Sequence, residues 1–515
     1  MEALAATDRR AGGALVFVGF MGAGKSSAAR AVAAELGVET LDSDRELERE
    51  LGESLQSFFD RSGEQAFRER EEEVVTDLLG RPDVQVVALG GGALASEVVR
   101  SALGEHTVVH LEVEPADAWH RASGNGRPLA RDRERFDQLH TDRAATYAHA
   151  ADATLPPGGR DLPLRALAAL LVLREAGAGD LRLVWAEAES GDSPVFFGRG
   201  LLQRGFFYPD VARRFLVTDE NVARHHSLRA DARATIAPGE GAKTLASGEA
   251  ILRQMAREGL TRDDLVVALG GGVVGDLAGF CGAVYQRGIR VVQVPTTLVA
   301  QVDSAFGGKT GVDLPEAKNY VGAYHQPTSV LVDPAALETL PAAELAAGYA
   351  EVVKTALIEG GELWATVRRG SPPDDSVILG CLRSKLAVVS EDERDGGRRQ
   401  VLNLGHTVAH ALEAATGYAR FRHGEAVAIG LMCALRLSGL ESLRAEVGGL
   451  LSGQGLPLTF SGCTTDDVVA LIGRDKKRRG PRVPFVLVER PGEVTQGHEV
   501  GEEDLLAAIE ELREP

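Results

Sequence analysis

This sequence predicts an α/β chain built on parallel sheets, and three observations carry that reading. Short apolar runs rich in Val and Leu alternate with stretches of helical spacing. Several of the runs end in glycine turns. From about Leu337 onward Ala, Leu and Glu at helical spacing take over, which predicts a mostly helical final part.

Taken in order, Ala14–Val18 reads as a buried strand and the Ala-rich pattern after Lys25 as a helix. Val84–Leu89 runs into Gly90-Gly91-Gly92, and Thr107–Val113 leads into a helix around Asp117–Ser123. Pro156-Pro157-Gly158-Gly159 is a turn, and Leu162–Ala176 is one further helix. A new strand starts near Leu181, and Arg214–Thr218, Leu265–Leu269 and Val291–Val294 are further strands. Strand–helix alternation of this kind implies a parallel sheet covered on both faces. At 515 residues the chain exceeds one ordinary core. The expected division is residues 1–176, a linker at 177–180, an α/β domain at 181–336 and a mostly helical domain at 337–515.

Composition narrows the function. A formal net charge of -19 argues against nucleic acid and anionic membrane surfaces as partners. Cys281, Cys381, Cys433 and Cys463 are far apart, as reduced core thiols of a cytoplasmic protein would be. No stretch is long and apolar enough to span a bilayer.

Gly19-Phe20-Met21-Gly22-Ala23-Gly24-Lys25-Ser26 fits the phosphate-cradling pattern G-x-x-x-x-G-K-[ST]. Gly22 and Gly24 free the backbone to aim N–H groups at phosphates, and the helix start adds its positive end. Lys25 is placed to reach the β- and γ-phosphates of ATP, and Ser26, followed by Ser27, to ligate Mg²⁺. Far downstream, His406, His410 and His423 have the look of a metal site, and the four-residue spacing of His406 and His410 puts both on one helical face. The heptapeptide Val86–Gly92 recurs as Val266–Gly272, each copy a strand ending in a turn that a ligand can approach closely.

Leu41-Asp42-Ser43-Asp44, Gly63-Glu64-Gln65-Ala66-Phe67-Arg68-Glu69-Arg70-Glu71, the Gly90–Gly92 triplet and Arg127-Pro128-Leu129 follow the phosphate loop in that order. Over roughly residues 14–175 the chain thus resembles shikimate kinase. The resemblance implies that Asp42 helps hold Mg²⁺ through water and that Asp44 binds shikimate's hydroxyls. Arg68 and Arg143 would grip its carboxylate over a floor of Gly90, Gly91 and Gly92. Arg127 would neutralise the transferring phosphoryl group, and Arg121 would stack on adenine.

A second set of motifs comprises Val217–Val222, Pro238-Gly239-Glu240 with Lys243, Gly270–Asp276, Val294–Leu298, Gln301–Ser304, Gly307–Thr310, Lys318-Asn319, Ala350–Lys354, Asn403–Thr407 and His423-Gly424-Glu425. Over roughly residues 181–510 these resemble 3-dehydroquinate synthase. The resemblance makes Glu351, His406 and His423 the ligands of Zn²⁺ (or Co²⁺) and moves His410 to substrate binding. It gives NAD⁺ contacts to Asp219, Asn221, Glu240, Lys243, Gly271, Gly272, Val273, Asp276, Thr296, Thr297 and Lys318. Asp303, Lys309, Asn319, Lys354, Lys385, Arg399, Asn403, and Lys476 or Lys477 would surround the substrate. Arg287 would be donated across a homodimer interface. Asp313 and Ala317 depart from the family's usual Asn and Gly. The combined expectation is a fused shikimate-pathway enzyme: ATP-dependent phosphorylation of shikimate, and conversion of 3-deoxy-D-arabino-heptulosonate 7-phosphate to 3-dehydroquinate and phosphate. A kinase fused to a related sugar-phosphate cyclase, or to a non-catalytic module, is the alternative.

Overall fold

The computed structural model describes residues 13–123, 132–177, 181–211, 213–472 and 484–514. Arg127, Lys476 and Lys477, and most of the expected linker, lie outside them. Compact units divide between Trp185 and Ala186, with Pro194–Arg199 belonging to the first.

In the first unit β1 (Leu15–Val18), β2 (Thr40–Asp42), β3 (Val86–Ala88), β4 (Thr107–Leu111) and β5 (Ala153–Leu155) form a parallel sheet in the order β2-β3-β1-β4-β5. β1 and β4 are buried along their whole length, as strands covered on both faces must be. Helix Pro115–Ser123 includes the expected Asp117–Ser123. The expected helix Leu162–Ala176 is interrupted at Ala166, giving Leu162–Arg165 and Leu167–Ala176. β6 (Arg182–Ala186) runs parallel to β5, so this unit continues past residues 177–180. β7 (Ser193–Phe197) follows.

The second unit opens with β8 (Arg214–Asp219), β9 (Ala232–Ile236), β10 (Leu265–Gly270) and β11 (Arg290–Pro295). A hairpin of β12 (Lys309–Leu314) and β13 (Ala317–Tyr324) precedes β14 (Ser329–Val332). The sheet order is β14-β11-β10-β8-β9, all parallel. Helices then dominate: Ala342–Glu359, Asp375–Glu391, His406–Ala415, His423–Leu437 and Glu441–Gly453 are the larger ones. The antiparallel pair β15 (Pro484–Arg490) and β16 (Glu493–Glu499) is set among them.

Two glycines let the helices of this region meet, and a third, Gly348, makes room for the Leu298 side chain. A Cβ on Gly424 would lie 1.8 Å from the Ala347 carbonyl oxygen, and one on Gly430 would lie 2.0 Å from that of Gly405. On Gly348 it would lie 2.5 Å from Leu298 Cβ. Only a residue without a side chain permits contacts this close.

Candidate functional site

The phosphate loop lies between β1 and helix Lys25–Leu36. Gly22 (φ 86°) and Gly24 (φ 91°) take left-handed conformations, and no side chain caps the helix, so its first N–H groups are available to an anion. Lys25 is buried, its Nζ donating to the Phe20 carbonyl at 3.1 Å. Arg121 reaches the same loop, donating to the Gly22 carbonyl at 3.1 Å.

Asp42 ends β2 and caps helix Ser43–Leu51, accepting from the Asp44 N–H at 3.1 Å. This turn projects Asp44 toward the glycine triplet, where a Cβ on Gly90 would lie 2.5 Å from its carboxylate. A Cβ on Gly92 would lie 2.0 Å from Arg68 Nη1. Arg143 Nη1 donates to the Gly91 carbonyl at 2.7 Å. The structure therefore gathers Asp44, Arg68 and Arg143 on the triplet. It adds two groups for which the sequence reading had no role. Buried Glu71 pairs with Arg68, and burial raises its pKa against that guanidinium's pull. Tyr147 donates to the Gly91 carbonyl at 2.5 Å, its phenol pushed up to about 12 by burial. Glu71 stood three residues after Arg68, the distance of one helical turn, and that was its available signal.

In the second unit β10 runs into helix Gly272–Val284, again with no side-chain cap at its start. A Cβ on Gly271 would lie 2.8 Å from Thr297 Cγ2, and one on Gly272 would lie 3.0 Å from Ser304 Oγ. Thr296 Oγ1 and Ser304 Oγ are buried there without a hydrogen-bond partner among the described residues. A bare helix start, a side-chain-free turn and two orphaned hydroxyls suit a dinucleotide's pyrophosphate. Val273 lies in the first turn of this helix.

Charged groups continue from this turn. Lys243 is buried, with Nζ 2.8 Å from Glu240, 3.3 Å from Asp276 and 3.8 Å from Asp313. Burial alone would lower its pKa, but Asp276 and Glu240 hold it above the usual lysine value. Burial pushes Asp276 up to about 6, against Lys243. Lys318 Nζ lies 3.4 Å from Glu240 and 3.1 Å from Glu413. Asp219, at the end of β8, accepts from the backbone N–H groups of Asn221 and Val222. Asp313, the departure from the family pattern, accepts from the Asn319 N–H at 2.7 Å and fixes that residue at φ 52°.

Glu351, His406 and His423 converge, their candidate ligand atoms all within 4.8 Å of one another. Glu351 Oε1 lies 3.5 Å from His406 Nε2 and 3.3 Å from His423 Nε2. Glu351 is fully buried, its Oε2 2.5 Å from Lys354 Nζ and its Oε1 turned to the two histidines. Burial would raise its pKa, but Lys354, in ion-pair contact, and His406 keep it well below the usual carboxylate range. His406 Nδ1–H donates to the Leu404 carbonyl at 3.2 Å, which leaves the Nε2 lone pair facing Glu351. An ionised, fully buried carboxylate opposite two Nε2 atoms suits a divalent metal with an open position. His410 stays outside this trio, its ring 6.1 Å from that of His423. It belongs to a second grouping with His423 and Glu413. Glu413 was missed in the sequence, although it is three residues from His410 and on the same helical face.

Beside the trio, Lys385 donates to Asp303 at 2.5 Å. Asp303 sits in a π-helical turn, Ala300–Ser304, a distortion that re-aims side chains and is frequent at functional sites. Burial brings the Lys385 ammonium down to about 8, Asp303 opposing. Arg399 is buried, its guanidinium donating to the carbonyls of Gly307 and Glu393. Asn403 donates to the Gln400 carbonyl. Lys309 is half exposed and paired with Asp395, and Arg287 is exposed at φ 68°.

These folds and clusters define a phosphate-loop phosphotransferase followed by an α/β and helical enzyme able to hold a dinucleotide beside a divalent metal. Family models match shikimate kinase over residues 21–161 and the N- and C-terminal parts of 3-dehydroquinate synthase over 233–347 and 348–478. The 3-dehydroquinate synthase of Symbiobacterium thermophilum is 42% identical over 350 residues, covering 62% of this chain and 98% of that protein. That of Nitrobacter hamburgensis is 39% identical, covering 59% of this chain and 89% of its own. A solved 2-epi-5-epi-valiolone synthase from Streptomyces hygroscopicus, with NAD⁺ and Zn²⁺ bound, is 26% identical at TM-score 0.57, over 64% of this chain and 98% of that one. The chain belongs to the 3-dehydroquinate synthase family and carries a shikimate kinase domain ahead of the synthase. It is a bifunctional enzyme of the shikimate pathway. No helix among the described residues is long and apolar enough to cross a membrane.

Proposed function

We propose that residues 1–176 phosphorylate shikimate with ATP and Mg²⁺, and that 181–336 and 337–515 together convert 3-deoxy-D-arabino-heptulosonate 7-phosphate to 3-dehydroquinate. The observation that carries the second assignment is the fully buried Glu351 carboxylate, held ionised and facing His406 and His423.

In the kinase, Lys25 and the loop N–H groups would hold the nucleotide's phosphates, with Ser26 and Asp42 on the Mg²⁺ side. Asp44 would orient the attacking hydroxyl. Arg68 and Arg143 would bind the carboxylate, Glu71 keeping Arg68 in place. Catalysis by such a set is positioning and charge stabilisation.

In the synthase, Glu351, His406 and His423 would hold Zn²⁺, and the Gly270–Gly272 turn with Thr296, Thr297 and Lys318 would hold NAD⁺. When bound, these groups supply Lewis acidity and a reversible hydride acceptor. Lys385, Arg399 and Asn403, with Lys309 and Asn319, would bind the substrate's phosphate and carboxylate. Their fixed ammonium, guanidinium and amide donors restrict the reacting carbon to one orientation. Asp303, His410 and Lys354 line the site where protons move. A cytoplasmic homodimer, with Arg287 contributed across its interface, completes the proposal.

The test is ³¹P NMR of the purified chain with the heptulosonate phosphate, NAD⁺ and Zn²⁺, without ATP. The expected result is inorganic phosphate with an equal amount of 3-dehydroquinate. No phosphate release from protein shown to bind both Zn²⁺ and NAD⁺ would overturn the synthase assignment.

A further inference from the structure

Among the described residues of the synthase half, Glu413 is a buried carboxylate that touches both His423 of the metal trio and Lys318. It sits on the second turn of helix His406–Ala415 and is 2% exposed. Its Oε1 lies 3.4 Å from His423 Nδ1 and 3.1 Å from Lys318 Nζ. The same histidine turns Nε2 to Glu351, so its two ring nitrogens face two different carboxylates. The Glu413 backbone also takes part. Its carbonyl accepts from the Tyr418 N–H at 2.7 Å, and the Tyr418 ring lies 5.0 Å from the Lys318 ammonium.

We infer that Glu413 is a positioning residue that couples the metal ligand His423 to the nucleotide-side lysine Lys318 through one carboxylate oxygen. The inference rests on the metal and NAD⁺ assignments proposed above. On the histidine side, a carboxylate accepting Nδ1–H fixes the tautomer, orients the ring and makes Nε2 a better donor to a metal. On the lysine side, the same oxygen and the Tyr418 ring hold a long, flexible side chain in one direction. Each partner makes the position of the other depend on Glu413. A carboxylate serving only to neutralise buried charge would need neither the shared oxygen nor the tyrosine seat.

Glu413→Gln keeps the shape and removes the charge, and the full-length chain is used throughout. With NAD⁺ saturating, Zn²⁺ affinity is measured by competition with a chelator. With Zn²⁺ saturating, NAD⁺ affinity is measured by titration calorimetry. Glu413→Gln is expected to weaken Zn²⁺ roughly 10- to 100-fold and NAD⁺ roughly tenfold, and Glu413→Asp to recover part of both. Combined with Lys318→Gln, it is expected to add little to the NAD⁺ loss, because the two changes break one interaction. Loss of Zn²⁺ affinity alone, or fully additive NAD⁺ losses, would overturn the coupling. Wild-type protein that binds neither Zn²⁺ nor NAD⁺ would instead overturn the functional reading beneath it.

Discussion

At the scale of single residues, burial and charge set what the site can bind at a given pH. Lys385 is the case where the two oppose each other most visibly. Burial brings its pKa to about 8 from the ordinary 10.5, even with Asp303 at 2.5 Å. Below about pH 8 both folded and unfolded chains hold the proton, and the folded protein carries an ammonium able to bind an anion. Above that pH the folded protein releases the proton first. Stability then gains as pH rises from about 8 to 10.5, because the cost of the buried charge is relieved. Binding of an anionic substrate moves the other way. Initial-rate measurements should show KM for the heptulosonate phosphate rising roughly tenfold between about pH 7 and pH 9 as the ammonium titrates. Lys385→Arg should keep KM level over that range. A level KM in the wild-type enzyme would show that this ammonium is not the binding group. The sequence named Lys385 but held no trace of its lowered pKa, which comes from burial, and even the opposing partner Asp303 is 82 residues away.

At the scale of elements, the approach of helices explains what the sequence made legible and what it hid. Strands and phosphate loop were readable because apolar runs and Gly-Lys-Ser have local causes. The heptapeptide Val-Val-Ala-Leu-Gly-Gly-Gly shows the limit of such reading. After β10 it opens a 13-residue helix, whereas after β3 it enters a 3₁₀ turn with the Gly90 N–H donating to Ser43 Oγ. Identical residues take different roles because their partners come from elsewhere in the chain. Glycines at helix crossings were hidden for the same reason. Gly430 lies against Gly405, the residue just before His406, and Gly424 follows His423 directly. His406 and His423, two of the proposed metal ligands, are therefore held together by contacts that a single methyl group would break. Gly430→Ala should push the His406 helix outward, destabilise the synthase half by about 1–3 kcal/mol and weaken Zn²⁺ binding in chelator competition. Shikimate phosphorylation by the same variant should match wild type. Unchanged Zn²⁺ affinity would mean that the crossing adapts without moving the ligands.

At the scale of the whole molecule, two chemistries with different metal demands share one chain of net charge -19. Under the proposed assignments each anionic substrate would be met by a local basic set inside an acidic protein. Arg68 and Arg143 stand at the Gly90–Gly92 triplet, while Lys385 and Arg399 stand near Asp303 and Gly307. The kinase site holds hydroxyl and carboxylate oxygens suited to Mg²⁺, a hard ion that keeps much of its water. The synthase site offers two imidazoles and one buried carboxylate, a donor set suited to Zn²⁺. This difference in donors predicts a clean separation of the activities. With Mg²⁺ in excess, a zinc-selective chelator should abolish 3-dehydroquinate formation and leave shikimate phosphorylation intact, and added Zn²⁺ should restore the first. Lys25→Ala should produce the reverse, removing kinase turnover by taking the ammonium from the phosphates while the synthase runs at its normal rate. Both assays on the same preparation decide the matter. Parallel loss of the two activities on chelation would mean that the metal holds up structure on which the kinase also depends, and parallel loss in Lys25→Ala would place that dependence in the phosphate loop.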